Sequence, residues 1–531
     1  MVTYTGTGSA MTIDHNLGQV PGMIIVKSTS ATYDWAVWHR QFTGTTDYIK
    51  LNTTAAKTDS ASVFGNGSTY LTPTSTQFFV GGNNQVSGEV GGTYVAYLFA
   101  HNDSDGGFGS TGDQDIIKCG SYTGNANADG PEIDLGFEPQ WLLIKSANDA
   151  TRWVILDNIR GLAEGSTPTL LPNATSAEAS EALLKLTATG FKILDADTSV
   201  NASGSTITYV AIRRGPMKAP TAGTQVFFPD LITANQSGIT ATGIGFSPDV
   251  IINLVRSNAN YGQQICNRLT GPTKQLFTNY NSAEATTNGT ALVSFDMDGY
   301  TLGSDSAGTG WNAYSGYTSV KHCFKRAPGF LDVVAYSGDG TSSRNIKHNL
   351  TVAPELILLK NRTSSGGGAG WIAGVASLGS DEGSLHSDSQ FNAYNLITTY
   401  GTTTFTAQNA DEQINKSGET YVAYLFATVA GVSKVGTYSG TGSDINVDCG
   451  FTSGARFVLA KRTDSSGDWY VWDSARGIVA GNDPYLLISG AAAEVTNTDY
   501  IDPLSSGFTI TSNAQSDLNT SGGTYLFLAI A

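Results

Sequence analysis

One apolar segment, TYVAYLFA, occurs twice without a change, at residues 93–100 and 420–427. Looser copies lie at residues 207–213, 319–325 and 525–531. Aromatic and β-branched residues dominate all of them, and Gly, Ser and Asn stand just upstream, which is typical of a β-strand that follows a turn. A strand that recurs along the whole chain indicates that the same unit is built five times.

The segments between these copies also repeat. An aromatic residue and a glycine-rich turn open each unit, an apolar run follows, and the repeated strand ends it. Many short strands with almost no helical periodicity, in a unit of about 100 residues, predict a β-sandwich. The repeat is too long for a rung of a β-helix or a propeller blade. We therefore predict an all-β tandem array of five homologous β-sandwich repeats, of the jelly-roll or immunoglobulin-like kind.

The same landmarks give the boundaries of the array. The predicted repeats span residues 1–101, 118–214, 224–326, 331–427 and 434–531, with linkers at residues 102–117 and 215–223. The third repeat is the most divergent, and the one helix candidate in the chain is the segment 176–186. The repeated strand is apolar at consecutive positions, and such a strand at an exposed sheet edge promotes aggregation. We therefore expect it to lie between two other strands.

Composition excludes several classes of partner. Charged residues make up only 14% of the chain, and the net charge is −16. An acidic chain of this kind lacks the basic surface that nucleic-acid binding needs. No apolar run approaches the length of about 20 residues that spans a membrane, and the start of the chain lacks the pattern of a secretory signal. We expect neither nucleic-acid binding nor membrane insertion.

Residue types that often act in catalysis or metal binding, such as cysteine and aspartate, align with apolar or variable residues in the other repeats. The four cysteines each replace an apolar residue of another repeat, which predicts small buried side chains instead of disulfides or a zinc site. These cysteines are Cys119, Cys266, Cys323 and Cys449. Asp473 and Arg476, with Asp157 and Arg160 as their copy, predict a structural ion pair, because other repeats replace the acid. No catalytic or metal-binding motif stands out, so we expect no enzyme, cofactor or metal.

Lysines and tryptophans recur at two further positions. Lys27, Lys145, Lys360 and Lys461 end the apolar runs, and we expect their charged ends to reach water over apolar surface. Trp35, Trp153, Trp371 and Trp469 share one position, which predicts core anchors. Trp38 and Trp472 lie three residues further, on the opposite face of the strand. They are the predicted contacts with a ligand or a partner, either as exposed platforms for sugar rings or as interface residues.

Several longer segments carry a resemblance to a known group of proteins. They include YTGTG, IDLGFEPQWLLIK, RAPGFLDVVAYSG, VSKVGTYSGTG and GGTYLFLAIA. In these segments the chain resembles repeat-containing virion structural proteins of tailed bacteriophages, particularly of marine and cyanobacterial phages. The resemblance implies a non-enzymatic tail fibre or tail-associated protein that contributes to host attachment and is assembled in the host cytoplasm. Met1 starts directly on a repeat, which leaves the docking of such a fibre to its tail open.

The implied partners are other virion proteins, further copies of the chain (a trimer if it is a fibre), and a host-surface glycan or receptor. Two alternatives stay open: a capsid-surface decoration or fibre protein, and a glycan-binding module for receptor recognition. A polysaccharide depolymerase is a third, and it would require paired carboxylates in a groove.

Overall fold

The computed structural model describes residues 1–102, 114–163, 165, 167–259, 261–287, 289–305, 308, 310–408, 411–514 and 516–531. Most of the linker predicted at residues 102–117 lies outside these residues. The described chain is almost entirely β-structure. Its helices are short turns, α-helical at Thr198–Asn201 and Ser516–Asn519 and 3-10 at Arg40–Phe42, Gly223–Gln225, Gly367–Ala369 and Ala376–Leu378. Across the described ranges, no helix has the length and apolar character needed to cross a membrane.

The strands fall into five consecutive groups, which we call repeats 1 to 5. Repeat 1 contains β1 (Val2–Thr5), β2 (Met11–Asp14), β3 (Met23–Ser28), β4 (Ala36–His39), β5 (Asp47–Lys50), β6 (Thr58–Asp59), β7 (Gln77–Val80) and β8 (Thr93–Phe99). Repeat 2 contains β9 (Ile117–Thr123), β10 (Glu132–Asp134), β11 (Pro139–Ser146), β12 (Val154–Asp157), β13 (Thr167–Thr169), β14 (Ala179–Glu181), β15 (Leu184–Thr187), β16 (Gly190–Ile193) and β17 (Thr206–Arg213).

The other three repeats follow the same order. Repeat 3 contains β18 (Phe227–Thr233), β19 (Ile239–Thr242), β20 (Val250–Val255), β21 (Gln264–Asn267), β22 (Lys274–Phe277), β23 (Ala285–Thr286), β24 (Leu292–Asp296), β25 (Gly299–Leu302) and β26 (Thr318–Phe324). Repeat 4 contains β27 (Leu331–Ser337), β28 (Ser343–Lys347), β29 (Leu356–Asn361), β30 (Trp371–Val375), β31 (Asp381–Gly383), β32 (Asn392–Ala393), β33 (Ile397–Tyr400), β34 (Thr404–Gln408) and β35 (Thr420–Phe426). Repeat 5 contains β36 (Ser433–Ser439), β37 (Ile445–Asp448), β38 (Phe457–Arg462), β39 (Trp469–Asp473), β40 (Leu486–Leu487), β41 (Ile501–Leu504), β42 (Gly507–Ile510) and β43 (Thr524–Ile530).

Each repeat pairs a large antiparallel sheet with a small one, and this confirms the prediction of all-β repeats with sandwich character. The large sheets have the orders β1-β8-β3-β4-β5-β6, β9-β17-β11-β12, β18-β26-β20-β21-β22-β23, β27-β35-β29-β30-β31-β32 and β36-β43-β38-β39-β40. The small sheets are β2-β7, β10-β16-β15, β19-β25-β24, β28-β34-β33 and β37-β42-β41, and β13 pairs with β14. The helix candidate at residues 176–186 is wrong, because that segment contributes β14 and the start of β15.

The repeated terminal strand is a central strand of every large sheet. It pairs on one side with the opening strand and on the other with the strand of the apolar run, as β35 does with β27 and β29. This placement confirms the expectation that the strand lies between two others. In repeats 1, 4 and 5 the opening tyrosine lies opposite the first tyrosine of the terminal strand and stacks on it. The ring centroids lie 5.0 Å apart for Tyr336 and Tyr421 and 4.9 Å apart for Tyr438 and Tyr525.

In repeats 3, 4 and 5, the two faces of the large sheet belong to different cores. In repeat 4, Leu359 and Tyr421 pack inside the sandwich, against Phe405 of the small sheet. Leu358 and Val422, one position away on the same strands, face the other way. They belong to a core that also takes side chains from the large sheets of repeats 3 and 5, such as Phe227 and Leu459, together with others of the same three sheets.

The chain divides into two compact units at a linker predicted from the sequence. Unit 1 is Met1–Gly215 and holds repeats 1 and 2, and unit 2 is Pro216–Ala531 and holds repeats 3, 4 and 5. In unit 2 the outer faces of three large sheets line one shared core. Because both faces of those sheets are buried, their strands are apolar at consecutive positions instead of alternating.

Candidate interaction sites

The predicted contact residues Trp38 and Trp472 do not reach the surface. Their side chains are 2% and 0% exposed, so the expectation that they form exposed platforms is wrong. Alternation along the strand correctly places them on the face opposite the recurring tryptophan. That face is the interior of the sandwich, where Trp472 stacks on Tyr470 with ring centroids 5.7 Å apart. A tryptophan buried in this way cannot stack on a sugar ring or contact another chain.

The recurring tryptophans instead link neighbouring repeats. Within unit 2, Trp469 of repeat 5 donates its indole N–H to the backbone carbonyl of Ser384 in repeat 4, 3.0 Å away. Trp371 of repeat 4 donates in the same way to Phe277 of repeat 3, at 2.8 Å. Both side chains are fully buried. A buried indole needs such a partner, and here the partner lies in the next repeat, so the bond fixes how the two repeats pack.

A third bond completes this series in unit 2. Repeat 3 has Gln263 where the others have tryptophan, and the hydroxyl of its Thr278 donates to the backbone carbonyl of Ile488 in repeat 5, at 2.9 Å. Repeat 5 therefore bonds to repeat 4, repeat 4 to repeat 3, and repeat 3 to repeat 5. The three large sheets of unit 2 form a closed cycle around their shared core.

The recurring lysines are buried more deeply than the sequence predicts. Lys145, Lys360 and Lys461 are each 0% exposed, so the expectation that their charged ends reach water is wrong. Their ammonium groups donate to backbone carbonyls, among them Ala369 for Lys360, at 2.6 Å, and Asp388 for Lys461, at 3.0 Å. Burial lowers the pKa of each of these three lysines to about 8.

Repeat 3 buries a lysine at a different position. Leu254 occupies the slot at the end of the apolar run, and Lys321 of the terminal strand points into the sandwich of that repeat. Its ammonium group donates to the side chain of Asn253, 2.5 Å away, and to the carbonyl of Trp311, at 3.0 Å. Complete burial lowers the pKa of Lys321 to about 7.

The predicted ion pair is confirmed and belongs to a larger buried network. Arg476 Nε lies 2.5 Å from Asp473 Oδ2, and both side chains are 0% exposed. The same carboxylate oxygen lies 2.9 Å from Nε2 of His322 in repeat 3. Burial lowers the pKa of His322, and the Arg476 charge helps to hold the pKa of Asp473 well below its usual range despite its desolvation. The network joins repeats 3 and 5 inside unit 2, where no substrate can reach it.

The four cysteines are buried, as the alignment of the repeats predicts. Cys119, Cys266, Cys323 and Cys449 are all buried and free, and burial raises the pKa of each thiol. Among the residues that the structure describes, no cluster of three or more His, Cys, Asp or Glu side chains has the arrangement of a metal site.

One buried asparagine near the end of four repeats was missed in the sequence. Asn519 accepts backbone N–H groups of Thr441 and Gly442 and donates to the carbonyls of Ser443 and Thr511, all within 3.1 Å. It thereby ties the loop before the terminal strand to the first turn of the repeat. Asn201, Asn312 and Asn415 occupy the same position and make equivalent bonds. The signal was an Asn shortly before Ser-Gly, just upstream of the repeated strand.

An exposed aromatic cluster in repeat 3 was also missed, and we call it the tyrosine cluster. It consists of Tyr261, Tyr314 and Tyr317, whose ring centroids lie 5.4 to 6.3 Å apart. Tyr314 is 49% exposed, and burial together with the hydrogen bond to Tyr314 raises the pKa of Tyr261 to about 12. Asn258 donates its amide to the Tyr317 hydroxyl, at 2.9 Å.

The tyrosine cluster arises from an insertion that is specific to repeat 3. Its loop reads NAYSGY at residues 312–317, where the loops of repeats 2, 4 and 5 read NASGS at 201–205, NKSGE at 415–419 and NTSGG at 519–523. Tyr314 is the added residue, and it adopts a left-handed backbone with φ of 54°, which is uncommon for a residue with a bulky side chain. The insertion places a large aromatic side chain at the surface.

Comparison with known families matches almost the whole chain. A family described as a domain of unknown function, DUF7483, matches residues 1–216 and 223–531. The chain belongs to the DUF7483 family. The two matched segments correspond closely to the two compact units, which divide between Gly215 and Pro216. No curated protein matches this DUF7483 chain.

Proposed function

We propose that this DUF7483 protein is a non-enzymatic structural protein of a bacteriophage particle, located in the tail fibre or another part of the tail. The virion assignment rests on the resemblance of its repeats to virion structural proteins of tailed phages. The structural role rests on one observation, the shared core of unit 2, in which three large sheets are buried on both faces. Repeats that bury their outer faces against one another stabilise the chain, and such stability suits a particle that must persist outside the cell.

Localisation on the particle tests this proposal. Antibodies against the chain are applied to purified particles of the phage that encodes it, and bound gold is located by electron microscopy. We expect gold on the tail and the intact chain in mass spectra of the particles. Gold on the capsid surface would replace the tail assignment with the capsid-decoration alternative. Absence of the chain from particles, with its presence in infected cells, would overturn the virion role.

A second function, glycan binding that contributes to host attachment, is favoured by the tyrosine cluster. Tyrosines offer a rigid apolar ring and a hydroxyl at the same site, and three of them converge here beside the Asn258 amide. Sugars present both apolar C–H faces and hydroxyl groups. The cluster, and not Trp38 or Trp472, is therefore where we place a saccharide contact.

A glycan array with purified chain tests the second function. Tyr314→Ala removes the most exposed ring of the cluster, and we expect at least about a tenfold loss of affinity, or roughly 1.4 kcal/mol. Tyr394→Ala is the matched control, because Tyr394 is 57% exposed in repeat 4, outside the cluster. Equal glycan binding by wild type and Tyr314→Ala would show that the tyrosine cluster does not contact the glycan.

A further inference from the structure

The outer faces of the two large sheets in unit 1 are incompletely covered. Tyr97 is 36% exposed, and Trp35, Trp141 and Ile155 are half-buried. Trp35 stacks on Tyr97 with ring centroids 6.3 Å apart. We call these four residues the open face of unit 1. They come from both repeats, Trp35 and Tyr97 from repeat 1 and Trp141 and Ile155 from repeat 2.

Unit 2 shows how the same positions look when they are covered. The strand pairings align the open face with Trp371, Tyr424, Leu356 and Ala373 of repeat 4 and with Trp469, Leu528, Phe457 and Val471 of repeat 5. All eight of these side chains are at most 3% exposed, and all belong to the shared core. The difference lies in the number of large sheets that meet, three in unit 2 and two in unit 1.

The hydrogen bonds between repeats show the same difference. In unit 1, Trp153 of repeat 2 donates its indole N–H to the carbonyl of Lys50 in repeat 1, at 2.8 Å. This is the bond that Trp371 and Trp469 make in unit 2. There the cycle continues through a third repeat and closes on the first. Among the described residues of unit 1, the series ends after this one bond, because that unit has only two repeats.

We propose that the open face of unit 1 is an interface between two copies of this chain. Unit 2 shows that the surface that covers these positions is the apolar outer face of another large sheet of the same kind. In a second copy, the large sheets of repeats 3, 4 and 5 already enclose their own core. The matching surface that a second copy still offers is the open face of its own unit 1. Two identical faces pair most simply about a twofold axis.

This inference goes beyond the virion role and rests on packing alone. The mass of the full chain in solution tests it, by sedimentation equilibrium over a range of protein concentrations. We expect wild type to reach twice the 55.6 kDa mass of one chain. Tyr97→Glu and Ile155→Glu introduce a charge on each half of the open face, and we expect at least a tenfold weaker self-association. Leu71→Glu is the control, since Leu71 lies in unit 1 with the same 36% exposure, outside the open face.

Thermal unfolding midpoints from calorimetry establish that the variants fold. A second measurement uses wild type alone. Hydroxyl-radical footprinting of wild type at high and low concentration should show Trp35 and Tyr97 protected at high concentration and Leu71 unchanged. A wild-type chain that stays monomeric, or folded variants that associate as wild type does, would overturn the interface. So would a loss of association in Leu71→Glu equal to that in Tyr97→Glu. A monomer would leave the virion role standing, because particle localisation tests that role separately.

Discussion

Trp371 and Trp35 occupy equivalent positions in repeats 4 and 1, but their surroundings differ. Trp371 is 0% exposed and donates to Phe277 of the next repeat, whereas Trp35 is half-buried on the open face. The sequence identified both as members of one series, because they recur at the same place relative to the apolar run. It could not distinguish them, since the neighbour that covers Trp371 comes from a distant part of the chain.

This pair gives a matched test of the contact between repeats. Trp371→Phe removes the indole bond to the half-buried Phe277 and opens a cavity, so we expect the free energy of unfolding of unit 2 to fall by about 2–3 kcal/mol. Trp35→Phe should cost unit 1 less than about 1 kcal/mol, because a half-exposed ring loses less on truncation. Denaturant unfolding followed by circular dichroism measures both. Equal losses would show that the bond between repeats does not stabilise unit 2.

The buried lysines predict an unusual dependence of stability on pH. Lys360 has its pKa lowered to about 8 by burial, whereas the unfolded chain protonates lysine up to about pH 10.4. Between these values the unfolded state binds more protons, so the free energy of unfolding rises as the pH rises. The lysines should therefore raise the stability from about pH 8 to about pH 9.5, below the range in which tyrosines of the unfolded chain ionise. The four buried thiols offset part of this rise, because they ionise near about pH 8.5 in the unfolded chain while burial raises their pKa in the folded one.

Lys360→Met tests the contribution of this one side chain. The variant should lose on the order of 2 kcal/mol of the increase between about pH 8 and about pH 9.5, because it removes one of the groups that releases a proton on folding. Lys347→Met, at an exposed position of β28 in the same repeat, should keep the wild-type slope. Urea unfolding at both pH values provides the comparison, and an unchanged slope in Lys360→Met would contradict the burial of its ammonium group.

At the scale of elements, the terminal strand was the most predictable part of the fold. Its apolar run indicated a central position, and β35 and β43 both lie between two partners. The face of the neighbouring strand on which Trp472 lies was also predicted correctly. The predicted exposure of Trp472 was wrong, because its side chain is buried. Alternation along a strand assigns a side chain to a face, whereas the element that covers that face is set by packing between sheets. For the same reason, the sequence predicted that the charged ends of the recurring lysines reach water, whereas three of these side chains are buried.

The buried asparagine joins elements from the two ends of a repeat through hydrogen bonds. Asn519 makes four hydrogen bonds to backbone groups of other loops. Asn519→Ala breaks all four bonds and leaves the buried Thr511 carbonyl without this donor. We expect a loss of about 2–3 kcal/mol in the free energy of unfolding of unit 2. Asn446→Ala, at an exposed position of β37 in the same repeat, should cost less than about 0.5 kcal/mol. Thermal unfolding distinguishes them, and comparable losses would mean that the loop is not held by this side chain.

In the whole molecule, the five repeats are stabilised as two groups, repeats 1 and 2 in one unit and repeats 3, 4 and 5 in the other. The sequence predicted five similar repeats and a linker at residues 215–223, but all its landmarks are local to one repeat. The grouping depends on which outer faces meet, and those contacts join residues far apart in sequence. The large core of unit 2 draws on three repeats, while the cluster around Trp38 and Trp153 draws on repeats 1 and 2 alone.

Scanning calorimetry of the full chain shows whether the repeats unfold in these two groups. Elements that share a core unfold together, so we predict two transitions, one for residues 1–215 and one for residues 216–531. Trp371→Phe should lower the midpoint of the second transition and leave the first unchanged. A separate transition for each of the five repeats would contradict the shared core. So would a Trp371→Phe variant in which the signal of repeat 4 shifts while those of repeats 3 and 5 stay in place.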